Sequence, residues 1–345
     1  MIFSYILTLL APLLGSARAL IGSKLSNGDF FSKDYTTILK GLCCLIVIYV
    51  HISVNNGNRL QDAISSFGYV AVTIFFLISA YGMLLSSEKK ENYLKHFWRN
   101  RLISLLIPVL FVNVTVFIFA SIRGLLLWQS LYEINGYVFV LLQFCVLFYI
   151  VEWIKRKWFV NNWRLGDGLL IAGVVMSSFC LYIFAYTNIS SKSGWCFERM
   201  GLVWGILLYR YFDRIKKWMD NHRLVKSLIL CIICSLIGVA YLKYKFVWFW
   251  GAFMLKIVLG FMIIMFLFTA TSNRRFNNRI SLWLGNISYE VYLSHGLVID
   301  TLAYYCGGLN SGWFILFTVT LTLILSTLIH TIDKPIVKKL RYKSR

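Results

Sequence analysis

Ten apolar runs follow one another along the chain with only short polar connections between them, at 36–55, 68–85, 103–121, 137–154, 168–187, 195–212, 227–242, 248–270, 282–301 and 313–331. A helix needs about 20 predominantly apolar residues to cross the hydrocarbon of a bilayer. Hydrocarbon supplies no partner for a free N–H or C=O, so such runs must form helices, whose backbone bonds close internally. A transmembrane β-barrel would show alternating ten-residue segments instead. Hydrophobic residues make up 59% of the chain and charged residues 14%, whereas soluble domains carry about 25% charged residues. The expected fold is an all-α polytopic bundle of ten core transmembrane helices.

The chain carries 35 basic and 14 acidic residues, a formal charge of +21. In a soluble protein that excess points to nucleic acid. Here the basic residues sit in the connections, and they alternate. Six alternate connections, counting both ends, hold 28 of the 35, beginning with Arg18, Lys24, Lys33 and Lys40 and ending with the cluster from Lys334 to Arg345. The opposite connections hold six: Arg59, Arg123, Lys192, Arg199, Lys243 and Lys245. Lys256, inside the eighth run, is the one left over. Basic loops stay in the cytoplasm, so both ends of the core are expected there. Nucleic acid is not expected as a partner; membrane lipids are, and a homo-oligomer is possible.

Residues 1–35 read as an apolar amino-terminal segment with a basic linker, and 36–345 as one membrane domain with a basic tail. Met1–Leu14 lacks the basic start of a signal peptide. Pro12, Gly15 and Arg18 favour an interfacial or partly inserted helix. The longest polar connection, 86–102, is too short to build a soluble core, and no fixed-period repeat is present. Cys231 and Cys234 have the spacing of half a zinc site, but no second pair accompanies them. No metal site is expected, nor a disulfide between Cys196 and Cys306.

Within the first run, Lys40 to His51 reads KGLCCLIVIYVH. Eleven residues make three helical turns plus about 20°, so both side chains share a face, roughly 16 Å apart along the axis. One end offers a fixed cation and the other a group that exchanges protons near neutral pH. An anionic ligand at one end and chemistry at the other is the expected use. An ionisable residue inside a span is by default a functional candidate, though a histidine bonded within the core is the bland alternative.

Four stretches, in order, carry a resemblance. Lys40 and His51 are similar to a basic residue–x10–His pattern. Gly68–Met83, GYVAVTIFFLISAYGM, resembles G-x-x-x-V-x-x-F-F-x-x-S-G-Y-G-L. Arg101–Pro108, RLISLLIP, resembles a basic entry to the third span with its proline. Ser288–His295, SYEVYLSH, resembles S-Y-x-x-Y-L-x-H. Together they resemble the acyltransferase-3 family of integral-membrane acyltransferases, from Lys33 to about Lys339. The chain departs from that pattern at Lys40, where arginine is usual, at Thr37, where aspartate is frequent, and at Ala80, where glycine is usual.

The resemblance implies transfer of an acyl group, acetyl in most members, from cytoplasmic acyl-CoA to a hydroxyl of a surface-polysaccharide or lipid-linked sugar. The donor is a substrate, and no bound cofactor is expected. Lys40, Lys95, Arg99 and Arg101 lie where they would meet the donor's phosphates. His51 would act as general base. Ser288, Tyr292 and His295 follow i, i+4, i+7 spacing and share a face, which would orient substrate or partner His51; packing serves equally as a reading. Ser79 is expected to hydrogen-bond. Trp195 and Arg199 would meet the sugar, with an interfacial anchor as the plain alternative, the role given to Trp248, Trp250 and Trp313. Glu290, the one acid well inside a run, is expected to pair with Lys256 or His295. His96, His222 and His330 receive no role. Some family members carry a fused SGNH-type domain; none is expected after the tenth run, so either this chain acylates the acceptor itself or a partner completes the transfer. A transporter of a small carboxylate or glycan is the competing class, although no inverted repeat or paired broken spans support it.

Overall fold

The structure, a computed structural model, describes residues 2–8, 30–52, 59–158, 162–187, 195–273 and 279–341. All regular elements among them are helical. Eight helical stretches among the described residues are long and apolar enough to cross a membrane: Lys33–Ile52, Gln61–Lys89, Leu94–Ile122, Gly136–Trp158, Trp163–Ala185, Arg223–Tyr244, Trp250–Thr271 and Ser311–Leu340. This is the expected all-α, multi-pass class.

Two of the ten runs fall short of that description. The sixth holds a helix of only 11 residues, Met200–Arg210, which reaches about 16 Å. The ninth is split at Ile287 into Arg279–Asn286 and Ser288–Tyr305. The second piece has 18 residues, but Glu290, His295 and Asp300 lower its hydropathy. Both helices are largely interior. In Ser288–Tyr305 Glu290, Ser294 and His295 are buried, so most of that polarity faces protein, while Asp300 near its end is exposed.

In chain order the helices are α1 (residues 2–8), α2 (Lys33–Ile52), α3 (Arg59–Phe67), α4 (Tyr69–Lys89), α5 (Phe97–Ile122), α6 (Gly136–Trp158), α7 (Trp163–Thr187), α8 (Met200–Arg210), α9 (Phe212–Asp220), α10 (Arg223–Tyr244), α11 (Lys256–Thr271), α12 (Arg279–Asn286), α13 (Ser288–Tyr305) and α14 (Ser311–Leu340). The chain divides into two compact units. One comprises Met1–Gly68, His96–Asn135 and Arg274–Arg345; the other comprises Tyr69–Lys95 and Gly136–Asn273.

In the first unit α2, α5, α13 and α14 pack on one another, and α12 lies across α2. The α2–α12 crossing depends on glycine. A Cβ on Gly41 would stand 2.7 Å from the backbone nitrogen of Gly285, and a Cβ on Gly285 would stand 1.9 Å from the carbonyl oxygen of Thr37. Small residues allow this approach, which dispersion then stabilises in the absence of a hydrophobic drive between helices. Tyr289 of α13 donates its hydroxyl to the carbonyl of Leu105 in α5 (2.9 Å), and Ser294 bonds Ser326 of α14 (3.0 Å). Residues 2–8 dock inward through Tyr5, whose ring meets Tyr49 edge-on at 4.9 Å and whose hydroxyl bonds Gln61. Ile2, Phe3, Ile6 and Leu7 face outward. Of the apolar amino-terminal segment, residues 9–14 lie outside the described residues.

In the second unit the most extensive contact joins α4 to α8. A Cβ on Gly201 would stand 2.1 Å from the carbonyl of Thr73, and one on Gly205 2.3 Å from that of Leu77. The pair forms a Gly-x-x-x-Gly face of the kind that brings membrane helices together. Arg210 ties three helix ends by pairing with Asp167 of α7 and Glu88 of α4. Lys256, deep in the eighth run, is enclosed by aromatic faces: its ammonium lies 3.5 Å from the centroid of Phe197 and 4.8 Å from that of Tyr69. The buried carboxylate of Glu198 supplies its opposing charge. Charge at this depth needs such partners.

Candidate active site

His51 lies in the last turn of α2 and His295 in the second turn of α13. Their ring centroids are 4.7 Å apart, at an interplanar angle of 59°. The helices meet because the core side of α2 is a continuous apolar surface; Cys44, Leu45, Val47, Ile48 and Ile52 are all buried. His51 is exposed on the protein surface of the unit, whereas His295 is buried.

Hydrogen bonding sets the tautomer of both rings. Nδ1 of His51 lies 2.8 Å from the carbonyl oxygen of Val47, and Nδ1 of His295 lies 3.2 Å from that of Val291. A carbonyl only accepts, so each neutral ring must carry its hydrogen on Nδ1 and donate it. Nε2 then keeps its lone pair. Two imidazoles with proton-accepting nitrogens therefore sit side by side. Tyr292 places its ring 5.8 Å from that of His295 at a tilt of 57°, bringing two members of the predicted i, i+4, i+7 face to the pair. Ser288 is turned to the carbonyl of Gly285 (2.7 Å), where it closes the break between α12 and α13.

The predicted cations separate into different local settings. Lys40 is half-buried on α2, three helical turns from His51, and the acidic charge of Glu290 reaches it. Arg101 lies 5.9 Å over the ring of Phe97. Arg99 donates from Nε to the carbonyl of Leu340 at the end of α14 (3.1 Å), and a basic side chain there complements a helix carboxyl terminus. Lys95 is exposed in the 3-10 turn Leu94–His96 that leads into α5.

The remaining predicted residues lie in the second unit or form a separate cluster. Ser79 donates to the carbonyl of Phe75 (2.8 Å), the hydrogen-bonding role expected of it. Arg199 donates to Oε1 of Gln143 (2.8 Å) and lines a cavity of about 390 Å3 together with Val140, Phe144, Leu147, Ser177 and Leu181. Trp195 adopts φ +60°, a left-handed conformation that a bulky side chain rarely takes and that costs free energy unless the surroundings impose it. The close approach of its indole nitrogen leaves room only for glycine at Gly136, where a Cβ would stand 2.9 Å away.

Glu290 bonds His330 of α14, Oε1 to Nδ1 at 2.9 Å. That partner differs from both expected ones, and Asp333 lies beside it. Sequence reasoning missed His330, Asp333 and Gln143. The 40 residues between Glu290 and His330 hide the contact. The spacing of His330 and Asp333 on one helical face was the available signal.

A family model described as an acyltransferase domain matches residues 34–331. The chain belongs to that family, the acyltransferase-3 group that the four motifs resemble, and is an acyltransferase of the multi-pass membrane type. Searches of curated proteins and of solved structures gave no significant match.

Proposed function

We propose that the protein transfers an acyl group, acetyl by preference, from acyl-CoA to a hydroxyl of a surface-polysaccharide or lipid-linked sugar. The observation that carries this reading is His51: its Nδ1 is committed to Val47, its Nε2 is available, and Lys40 lies about 16 Å away along the same helix. That span suits a long, thin donor arm with phosphates at one end and a thioester at the other. Nε2 of His51 takes the proton of the acceptor hydroxyl as the oxygen attacks the thioester carbonyl. The C–S bond breaks, and the thiolate leaves with the proton that the imidazolium then releases. His295, one ring away, positions the acceptor or the thioester oxygen. Within the second unit, Arg199, Gln143 and Ser177 give the 390 Å3 cavity polar lining.

The test is transfer of label from acetyl-CoA to glycan by the purified protein in detergent, with no ion gradient. Transfer confirms the reading; no transfer from any short acyl-CoA to any glycan acceptor removes it. Within that assay, Lys40→Gln is expected to weaken apparent donor affinity roughly ten- to a hundredfold, the worth of a charge-assisted contact, and to leave acceptor affinity unchanged. Lys40→Arg retains the charge and gains a fork suited to phosphate, so it should bind donor at least as well. The defect should shrink only modestly at high salt, because Lys40 is half-buried and a partly buried pair is screened less than an exposed one. Equal donor affinity in wild type, Lys40→Gln and Arg101→Gln would leave these residues as topology signals.

The proposed setting is a bacterial inner membrane with the carboxyl terminus in the cytoplasm, supported by the alternation of basic connections. Single cysteines at Asp62 and Asn310, in a background without native thiols, should react with an impermeant thiol reagent added outside. Those at Glu91, Asn221 and Asn273 should not. Gln61 is unsuitable as a reporter because it is buried and bonds the Tyr49 carbonyl; Asp62 next to it is exposed. Outside labelling at Asn221 would reverse the assignment.

A further inference from the structure

We propose that Glu290, His330 and Asp333 form a divalent-cation site that fastens α13 to α14. One ligand atom from each residue can be chosen so that all three lie within 4.8 Å of one another. Glu290 is 4% exposed and Asp333 1%. The Glu290–His330 hydrogen bond occupies one atom of each partner. It leaves Oε2 of Glu290, Nε2 of His330 and Oδ2 of Asp333 buried without hydrogen-bond partners.

Buried polar atoms are almost always satisfied, and three orphans in one cluster require a reason. Two carboxylates side by side in an apolar setting also require countercharge. Lys40 of α2 supplies one positive charge whose field reaches Glu290, but it leaves the three orphaned atoms as they are. A divalent ion in place of the proton between Glu290 and His330 takes a lone pair from Nδ1 of His330 and from one oxygen each of Glu290 and Asp333, the groups that lie close together, leaves Nε2 to carry the ring hydrogen, and offsets the carboxylates.

The donor set selects the ion. One imidazole and two carboxylates suit a first-row divalent metal, zinc or manganese. Calcium, which takes six to eight oxygens, is poorly served. Ligands at about 2.0–2.2 Å from zinc sit closer together than 4.8 Å, so small rotations of the Glu290 and Asp333 side chains complete the shell. Solvent or substrate would take the fourth position. Glu290 precedes His295 by five residues on α13, so an ion here fixes the register of α13 against α14 and with it the ring of His295. The site involves no acyl donor and is tested independently of the transfer reaction.

The experiment is elemental analysis of the full-length protein, purified in mild detergent with any affinity tag removed, followed by titration of the chelator-treated protein with Zn2+ and Mn2+. The wild type is expected to retain or rebind about one equivalent. Its thermal midpoint should rise by roughly 5–10 °C at a hundredfold excess over the dissociation constant. Glu290→Gln and Asp333→Asn should lose the metal and the thermal response, and His295→Ala should keep both. The wild-type titration needs no variant to fold. Failure of the wild type to bind either ion, or equal binding by Glu290→Gln and the wild type, overturns the proposal.

Discussion

His51→Ala is expected to lower acyl transfer by about 10²–10⁴-fold while the protein inserts and folds as before. That range is the usual contribution of a positioned general base, about 2.7–5.4 kcal/mol of barrier. The side chain is exposed at the end of α2, and among the described residues its hydrogen bond runs to Val47 within the same helix, so removing it opens no core cavity. His51→Gln is the sharper test. Its amide can still donate to the Val47 carbonyl and nearly fills the imidazole volume, but it cannot take a proton. Loss of turnover in both variants, with wild-type donor binding, assigns the defect to proton transfer. Wild-type turnover by a folded His51→Gln protein would remove the general-base role and turn attention to His295, whose Nε2 is the other proton-accepting nitrogen in the pair.

Gly285→Val should act on stability rather than chemistry. The new Cβ would lie 1.9 Å from the carbonyl oxygen of Thr37. The obstacle is helix backbone, which cannot rotate aside as a side chain can, so α12 must move off α2. Overpacking a tight core costs typically 1–3 kcal/mol and occasionally more; a backbone clash belongs at the top of that range. At about 3 kcal/mol the thermal midpoint in detergent should fall by roughly 6–12 °C. Transfer should also suffer, because α12 leads directly into α13 and sets where His295 meets His51. Gly168→Ala is the control. Nothing lies within 4 Å of the position its Cβ would occupy, and alanine is the better helix former, so its midpoint should be unchanged or slightly raised. An unchanged midpoint in Gly285→Val would show that the α2–α12 crossing has room the structure does not display.

Much of this protein is determined by sequence. Long apolar runs in a chain with three prolines leave only helices, because hydrocarbon offers no partner to an open backbone; that dictates the all-α, multi-pass class. Alternating basic connections order the runs by side. Helical periodicity alone places Lys40 and His51 on one face, since both lie on the same element and the geometry between them is local. The family, too, is legible from motifs, each of which falls within a single helix or at its entry.

What sequence does not carry is contact between helices that are far apart in the chain. The 4.7 Å approach of His51 to His295 depends on glycines that let α12 and α2 touch backbone to backbone, and a glycine in a sequence does not say which helix it faces. Nor do composition and length distinguish a helix bathed in lipid from one enclosed by protein. α13 looks too polar for a span although Glu290, Ser294 and His295 face inward, and the short α8 is seated against α4 through Gly201 and Gly205. The pairing of Glu290 with His330 and Asp333, 40 residues and more downstream, follows from how α13 and α14 pack. Buried charges take whatever opposite charge or ligand the tertiary structure brings within reach, and that choice is made in space, not along the chain.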